Sequence, residues 1–461
     1  MGLALSGDSQ PIYHRADIAY ITNALRGGNS CAIVGMSNIG KSHLLRSLRR
    51  PDVQREFLGA QRDDYIIIYV DFNLMWEMSD QGFYEVILRG ISNQVDALSD
   101  RPQAIDRIRQ AYQSLISPAS PFMVPVSFNE GLMALNEGWQ RRLAFLFDEF
   151  DEPWANIDRR TFLNLRALRD RYQEKLCYVT ATVRPLEVIR PGREIGEFCE
   201  LFMHHTRYIA PLPPDETRLF IQSQAARHEA IFDERDVAFI ISNADGHPTL
   251  LEDTCALLQQ EKALAETRGA AETLDYERAQ MALDGDPNVR AECAKLWADC
   301  GKDEQETLLA LVRDHGSLRD DAVAGLRRRY LLVERDGALV PFCGLLSRFV
   351  RRQHLARSRE ERGVRVDADA GAAYVDGKPI PSLTDLEYRL LLLLYGNLDK
   401  ICNKYRVVEA VWGESYIDQV DDARIEKLVS RLRQKIEADS SNPRYLITVR
   451  GRGYKLASPQ G

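Results

Sequence analysis

Gly35-Met36-Ser37-Asn38-Ile39-Gly40-Lys41-Ser42 is a complete G-x-x-x-x-G-K-S stretch. Its glycines let the backbone curl so that amide hydrogens face inward, the arrangement that cradles phosphates. Lys41 then reaches β- and γ-phosphates, and the Ser42 hydroxyl is placed to ligate Mg²⁺. The flanks agree. Cys31-Ala32-Ile33-Val34 is a short apolar run that reads as a buried strand, and Ser42 to Leu48 has helical spacing. Gly35, Ser37, Asn38, Ile39, Gly40, Lys41, Ser42 and His43 are the candidate contacts for the phosphates of ATP or ADP.

Such a loop works with a strand that brings acid to metal and water. Leu143-Ala144-Phe145-Leu146-Phe147-Asp148-Glu149 supplies five apolar residues and then acids at the carboxyl end, where open α/β sheets form their ligand crevice. Asp148 joins Ser42 as candidate Mg²⁺ ligand. Glu149 is the candidate base that polarises water, with Lys41 beside it. Asp151-Glu152 reads as a solvated loop face. Tyr65–Asp71 and Cys177–Thr182 read as further strands and Thr206–Ile209 as the last. Arg184, just past the Cys177–Thr182 run, is a third candidate catalytic residue, because a guanidinium binds phosphate oxygens bidentately. Phe83–Leu98 and Ala104–Leu115 read as helices between strands.

With 461 residues the chain exceeds one core, and three or four domains are expected. Apolar content of 45% and charged content of 28% are those of a globular protein. No apolar run approaches a membrane span, and Met1–Asp8 lacks the basic and apolar regions of a leader, so a cytoplasmic, nucleoid-associated location and no membrane partner are expected. The 8 cysteines are scattered without a C-x-x-C pair, which suits reduced, buried thiols. A net charge of −8 argues against polyanion binding by the whole surface but leaves room for a local basic patch.

From about Ile12 to Val350 the chain resembles the STAND class of signalling ATPases, relatives of AAA+ proteins. The resemblance is carried by Tyr13-His14-Arg15-Ala16-Asp17 before the first helix, Asp148-Glu149-Phe150-Asp151, Arg184 after a strand, and Gly246-His247-Pro248 in a helical lid. It implies nucleotide contacts from Arg15 and Pro248. Asp303–Val312, Asp320–Arg328 and Tyr330–Leu345 read as two helices and a hairpin turning at Asp336-Gly337, a small winged helix. In STAND proteins that element packs on the nucleotide, so Arg327-Arg328-Arg329 is expected to be structural rather than DNA-binding. The chain departs from the class in one respect: no repeat of a sensor array follows.

After His354–Gly363, a charged linker, the texture changes. Val364–Asp367 and Ala373–Ile380 read as short strands. Thr384 and Glu387 form a capping box for a helix whose apolar run spans Leu386–Leu394. Tyr405–Val411 and Asp422–Ala438 read as two more helices, and Tyr445–Val449 with Gly453–Leu456 as a hairpin around Arg450-Gly451-Arg452. In the last helix Ile425, Val429, Leu432 and Ile436 form a core stripe widened by Leu428, opposite Arg424, Lys427, Arg431 and Gln434/Lys435, with Arg433 beside them. From Arg424 to Lys455 nine basic side chains face three acidic ones, a net +6 in an acidic protein. A basic outer stripe fits a major groove, and basic hairpin tips reach phosphates or a minor groove.

Val364 to Leu456 resembles the OmpR/PhoB-type winged-helix DNA-binding domain, through Leu383-Thr384-Asp385-Leu386-Glu387, Val411-Trp412-Gly413, Ser430-Arg431-Leu432-Arg433-Gln434-Lys435 and Val449-Arg450-Gly451-Arg452-Gly453-Tyr454. The resemblance implies base contacts from Arg431 and Lys427, phosphate contacts from Arg424, Arg433, Lys435 and Arg450, and a minor-groove contact from Arg452. In this family a receiver domain usually precedes the winged helix; here an ATPase takes that place.

The expected fold is therefore multidomain α/β plus α+β: a P-loop NTPase core at 1–210 with a parallel sheet, a helical lid at 211–290, a winged helix at 291–353, a linker at 354–363, and a second winged helix at 364–461. The expected function is a nucleotide-switched regulator of STAND type that binds double-stranded DNA. ATP·Mg²⁺ would promote opening and homo-oligomer formation, slow hydrolysis would reset it, and an unidentified ligand or protein would trigger it. A DNA-remodelling or loading AAA+ ATPase and a STAND defence sensor are the alternatives.

Overall fold

The computed structural model describes residues 11–96, 98, 100–192, 196–267, 274–312, 318–360, 363–367, 372–413 and 420–458. The stretch read for a leader and residues 361–362 of the linker lie outside these. The chain divides into two compact units, Met1–Phe349 and Val350–Gly461.

In the first unit, β1 (Cys31–Val34), β2 (Tyr65–Asp71), β3 (Arg142–Asp148), β4 (Leu176–Thr182) and β5 (Thr206–Tyr208) form one sheet in the order β2-β3-β4-β1-β5. Every pairing is parallel. Parallel strands buried on both faces need near-continuous apolar runs, which is what β1, β3 and β4 supply. Val34 pairs with Thr182 on one side and Tyr208 on the other, and Asp71 pairs with Asp148, so the carboxyl ends of β1, β3 and β4 share one edge. The expected parallel sheet is thus present, with the loop of residues 35–42 following β1 at that edge. Beneath it Phe72, Phe83, Phe147, Phe150, Trp154, Phe162 and Phe198 form one buried cluster. Burial of each such ring stabilises by about 1.5–3 kcal/mol.

Four helices follow: Pro214–Arg227, Glu234–Ala244, Pro248–Thr267 and Tyr276–Gly285. Gly246 is required between the second and third, since a Cβ there would lie 2.2 Å from the Leu212 carbonyl oxygen. The helices Pro287–Ala298, Lys302–Val312 and Asp320–Arg328 then lead into the hairpin of β6 (Leu332–Arg335) and β7 (Ala338–Pro341). Asp336 (φ 51°) and Gly337 (φ 76°) make its turn with two left-handed residues, the geometry that matches strand twist.

In the second unit β8 (Val364–Asp367), β9 (Ala372–Val375) and β10 (Lys378–Pro379) form an antiparallel sheet in the order β10-β9-β8. The helices Asp385–Tyr395, Lys404–Trp412 and Asp422–Ile436 precede a hairpin of β11 (Leu446–Val449) and β12 (Gly453–Leu456). Thr384 and Glu387 do form a reciprocal capping box. The third helix stops at Ile436, two residues short of the expected end. Glu437 leaves the helix because its carboxylate accepts the amides of Arg444, Tyr445 and Leu446 at the start of the hairpin. This is a winged helix. Part of the expected linker is helical, since the helix Gly344–Glu360 runs through it. Among the described residues no helix is long and apolar enough to cross a membrane.

Candidate functional site

The loop after β1 carries its own requirements. Gly40 has φ 107°, and a Cβ there would lie 2.8 Å from His14 Nε2, so both conformation and space demand glycine. Asn38 (φ 56°), His14 (φ 58°) and Glu149 (φ 54°) are non-glycine residues held left-handed around it. Each costs about 1–3 kcal/mol, and such residues concentrate at functional sites. Lys41 is buried, and its ammonium donates to the carbonyls of Gly35 (2.9 Å) and Met36 (3.1 Å). Burial lowers its pKa, while the carboxylates of Asp151, Glu149, Asp299 and Asp148 act in the other direction. Ser42 is half-buried at the start of the following helix.

Asp148 is fully buried; its carboxylate accepts from the Tyr69 hydroxyl (2.5 Å) and from the Glu149 amide (3.2 Å). Arg46 donates to the same Tyr69 oxygen at 3.0 Å, which aims the hydroxyl at Asp148. The Glu149 pKa is raised, by desolvation first and then by the Asp148 charge. That is the direction a proton-accepting residue near neutral pH needs. Asp151 is not the solvated loop acid expected: it is half-buried and accepts the Val183 amide on both oxygens (2.9 and 3.2 Å), tying β3 to β4.

On the loop's other side Arg15 and Pro248, the two contacts expected there, are placed differently. The Arg15 guanidinium turns away, pairs with Glu56 and lies over the Phe57 ring at 5.4 Å. His14 approaches instead, its Nε2 2.9 Å from the Ile39 carbonyl oxygen. The Glu216 carboxylate orients this turn by accepting the amides of His14 (2.5 Å) and Arg15 (3.2 Å). Pro248 flanks a cleft of about 420 Å³ that also takes in Tyr13, Gly40, His43, Phe220 and Arg227. The aromatic and apolar walls beside the loop suit a flat base.

The third side is closed by residues distant in sequence. Ser37 donates its amide (2.7 Å) and its hydroxyl (3.0 Å) to the two oxygens of Asp299. Asn38 donates to Glu292 at 2.8 Å. His247 is fully buried, with its pKa lowered to about 4 by that burial, so it is neutral at pH 7. Its Nε2 lies 3.0 Å from the Ser37 carbonyl, and its Nδ1 accepts from the Leu250 amide. Arg184 donates to the main-chain carbonyl of Asp299 at 2.7 Å. The three neighbouring arginines are all engaged within the unit: Arg327 with Glu334, Arg328 over the Tyr208 ring, and Arg329 with Glu304 and the Asp299 carbonyl.

In the second unit Ile425, Leu428, Val429, Leu432 and Ile436 are buried, leaving Arg424, Lys427 and Arg431 exposed along the helix and Arg450 and Arg452 exposed at the hairpin tip. Residues 377–456 match the family described as "Transcriptional regulatory protein, C terminal". The second unit carries a regulatory winged-helix domain of that family. Over 93 residues the chain is 40% identical to the sensory transduction protein RegX3 of Mycolicibacterium smegmatis, covering 20% of this chain and 40% of that one. It thus spans about two-fifths of the length of the curated relatives it matches. Among solved structures, the RstA DNA-binding domain of Klebsiella pneumoniae in complex with the RstA box is 23% identical with TM-score 0.19, over 21% of this chain and 93% of that one. The Walker-type ATPase PABY2304 of Pyrococcus abyssi is 15% identical with TM-score 0.45, over 76% and 99%.

Within the regulatory domain two of the expected phosphate contacts, Arg433 and Lys435, are engaged internally. Arg433 donates to the Leu446 carbonyl (2.9 and 2.7 Å) and to the Thr448 hydroxyl (2.7 Å), fastening the helix to β11. Lys435 donates to the Ser382 carbonyl and to the buried Glu387 carboxylate, both at 2.7 Å. Leu428 is core rather than part of the reading face. No motif in the sequence pointed to Tyr69, Glu216, Glu292 or Asp299; His14 and His247 lay within quoted motifs, overshadowed by Arg15 and Pro248.

Proposed function

We propose that the chain is a nucleotide-switched transcriptional regulator of STAND type that binds double-stranded DNA. The observation that carries this reading is the buried Lys41, held under a loop shaped for phosphate and surrounded by Asp148, Glu149 and Asp151, in one chain with a regulatory domain whose Arg424, Lys427, Arg431, Arg450 and Arg452 are exposed. The residues fit ATP or ADP with Mg²⁺: glycine is demanded at position 40, the cleft beside it has aromatic walls, and acids end the adjacent strand. Ser42 and Asp148 would hold the cation, which when bound neutralises phosphate charge. Glu149 would orient and deprotonate water in a slow hydrolysis that resets the switch.

A ligand shifts a two-state equilibrium only through its different affinity for the two states. On this reading ADP favours the closed first unit, and ATP favours an opened form that self-associates and places several regulatory domains on one duplex. Selecting duplexes from a random pool with each nucleotide, then measuring affinity for the winners, tests it. Binding about tenfold or more tighter with Mg²⁺ and a non-hydrolysable ATP analogue than with ADP is expected. Equal affinity in the two states would defeat the switch. DNA-stimulated turnover with nucleotide-independent affinity would favour a remodelling ATPase.

A further inference from the structure

On the nucleotide reading given above, we propose that Asp299 is the residue that distinguishes a triphosphate from a diphosphate: its carboxylate occupies the place on the loop that a terminal phosphate takes. The loop has two ends. The aromatic cleft of Tyr13, Phe220 and Pro248 marks the base end. The acids of β3 and the arginine after β4 mark the other, where the terminal phosphate and the attacking water belong. Asp299 lies at this second end. Its two oxygens take the amide (2.7 Å) and hydroxyl (3.0 Å) of Ser37, a paired acceptance of the kind phosphate oxygens make. It is one of the four carboxylates acting on the Lys41 ammonium, and Arg184 holds its main-chain carbonyl at 2.7 Å.

The placement runs against local electrostatics, which argues for a role beyond packing. Asp299 follows the last residue of the helix Pro287–Ala298, where the helix macrodipole disfavours negative charge. It also shares its surroundings with Asp148, Glu149 and Asp151. Arg184 and Arg329 at its carbonyl, and the two donors of Ser37, hold the carboxylate there. Glu292, seven residues earlier and within that helix, makes a second strap to Asn38. A terminal phosphate adds further negative charge to the same donors, so both cannot be accommodated. A diphosphate, ending short of Ser37, leaves the strap in place. Because the chain runs on from Asp299 directly into the helices and hairpin of the first winged helix, expelling the carboxylate releases that element from the loop.

The test uses the full chain and two variants, Asp299→Asn and Asp299→Ala, with circular dichroism to establish that each folds. Displacement of a fluorescent nucleotide gives Kd for ADP and for a non-hydrolysable ATP analogue, each with Mg²⁺. The expected result is an affinity gain of about tenfold or more for the triphosphate and a change within about threefold for ADP, larger for Ala than for Asn. Equal shifts for both nucleotides, or none in either variant, overturn the role of Asp299 while leaving the nucleotide site standing. Failure of the unaltered chain to bind either nucleotide overturns both.

Discussion

Asp253 lies in the helix Pro248–Thr267, half-buried, and its Oδ2 has no hydrogen-bond partner among the described residues. Its pKa is raised to about 6, by burial first and then by Asp286, Glu292 and Glu252, with Lys295 opposing. A carboxyl raised on folding binds its proton more tightly in the folded chain than in the unfolded one. Its contribution to stability is therefore full below about pH 4 and is lost as pH rises to about 6. At pH 7.5 the charged side chain weakens the first unit. Asp253→Asn is expected to raise the melting temperature by on the order of 1–2 °C at pH 7.5, with the gain shrinking towards zero as pH falls to 4. Thermal melts across that range check it, and a loss of stability at pH 7.5 would contradict the assignment. Single residues were the least legible feature of this sequence. Loop and acids could be read because motif and strand end are contiguous. Asp299 could not, since its partner Ser37 lies 262 positions away. The internal bonds of Arg433 and Lys435 were hidden for a related reason: a helical wheel counts charge on a face but not the carbonyl of Leu446 or the carboxylate of Glu387 that folding brings beneath it.

At the scale of elements, the helix Asp422–Ile436 and the β11–β12 hairpin divide their basic residues between two jobs. Arg424, Lys427, Arg431, Arg450 and Arg452 face solvent, whereas Arg433 and Lys435 are spent on internal acceptors. On the proposed reading, removing a phosphate contact weakens duplex binding uniformly and lowers the salt slope by about 0.9 per contact, whereas losing a base contact costs about 1–3 kcal/mol at its own site. Arg424→Ala and Arg450→Ala are expected to behave in the first way and Arg431→Ala in the second. Arg433→Ala is expected to lower the melting temperature of the regulatory domain and to affect DNA only through that. Affinity measured against salt, with a melt for each variant, separates the classes; an Arg433→Ala variant of unchanged stability but reduced salt slope would restore it to the phosphate set. Elements themselves were legible to within a few residues, because apolar period, capping box and Asp-Gly turns are local signals. Strand order was not spelled out by any local signal: β1 lies between β4 and β5 only because its crossover to β2 passes two strands that come later in the chain.

At the scale of the whole molecule, an acidic chain of net charge −8 carries a stretch of net +6 between Arg424 and Lys455, which concentrates attraction to a polyanion in the regulatory domain. On the proposed reading, the first unit then acts on binding through the number of regulatory domains assembled rather than through its own charge. Glu149 is the point at which that control can be frozen. Its pKa is raised by desolvation and by Asp148, with Lys41 opposing, so Glu149→Gln removes the proton acceptor while keeping the shape of the side chain. Hydrolysis is expected to fall by about 10²-fold or more with ATP affinity little changed. Duplex retention in ATP should then persist for as long as nucleotide is present, where the unaltered chain releases it as ATP is consumed. Lys41→Ala is expected to do the opposite, abolishing triphosphate binding and leaving duplex affinity at its ADP level. Time courses of duplex retention after a limited addition of ATP distinguish these cases. If Glu149→Gln hydrolyses ATP at an unaltered rate, the base is another group; if it loses turnover yet releases DNA on the original schedule, hydrolysis is not what resets the regulator.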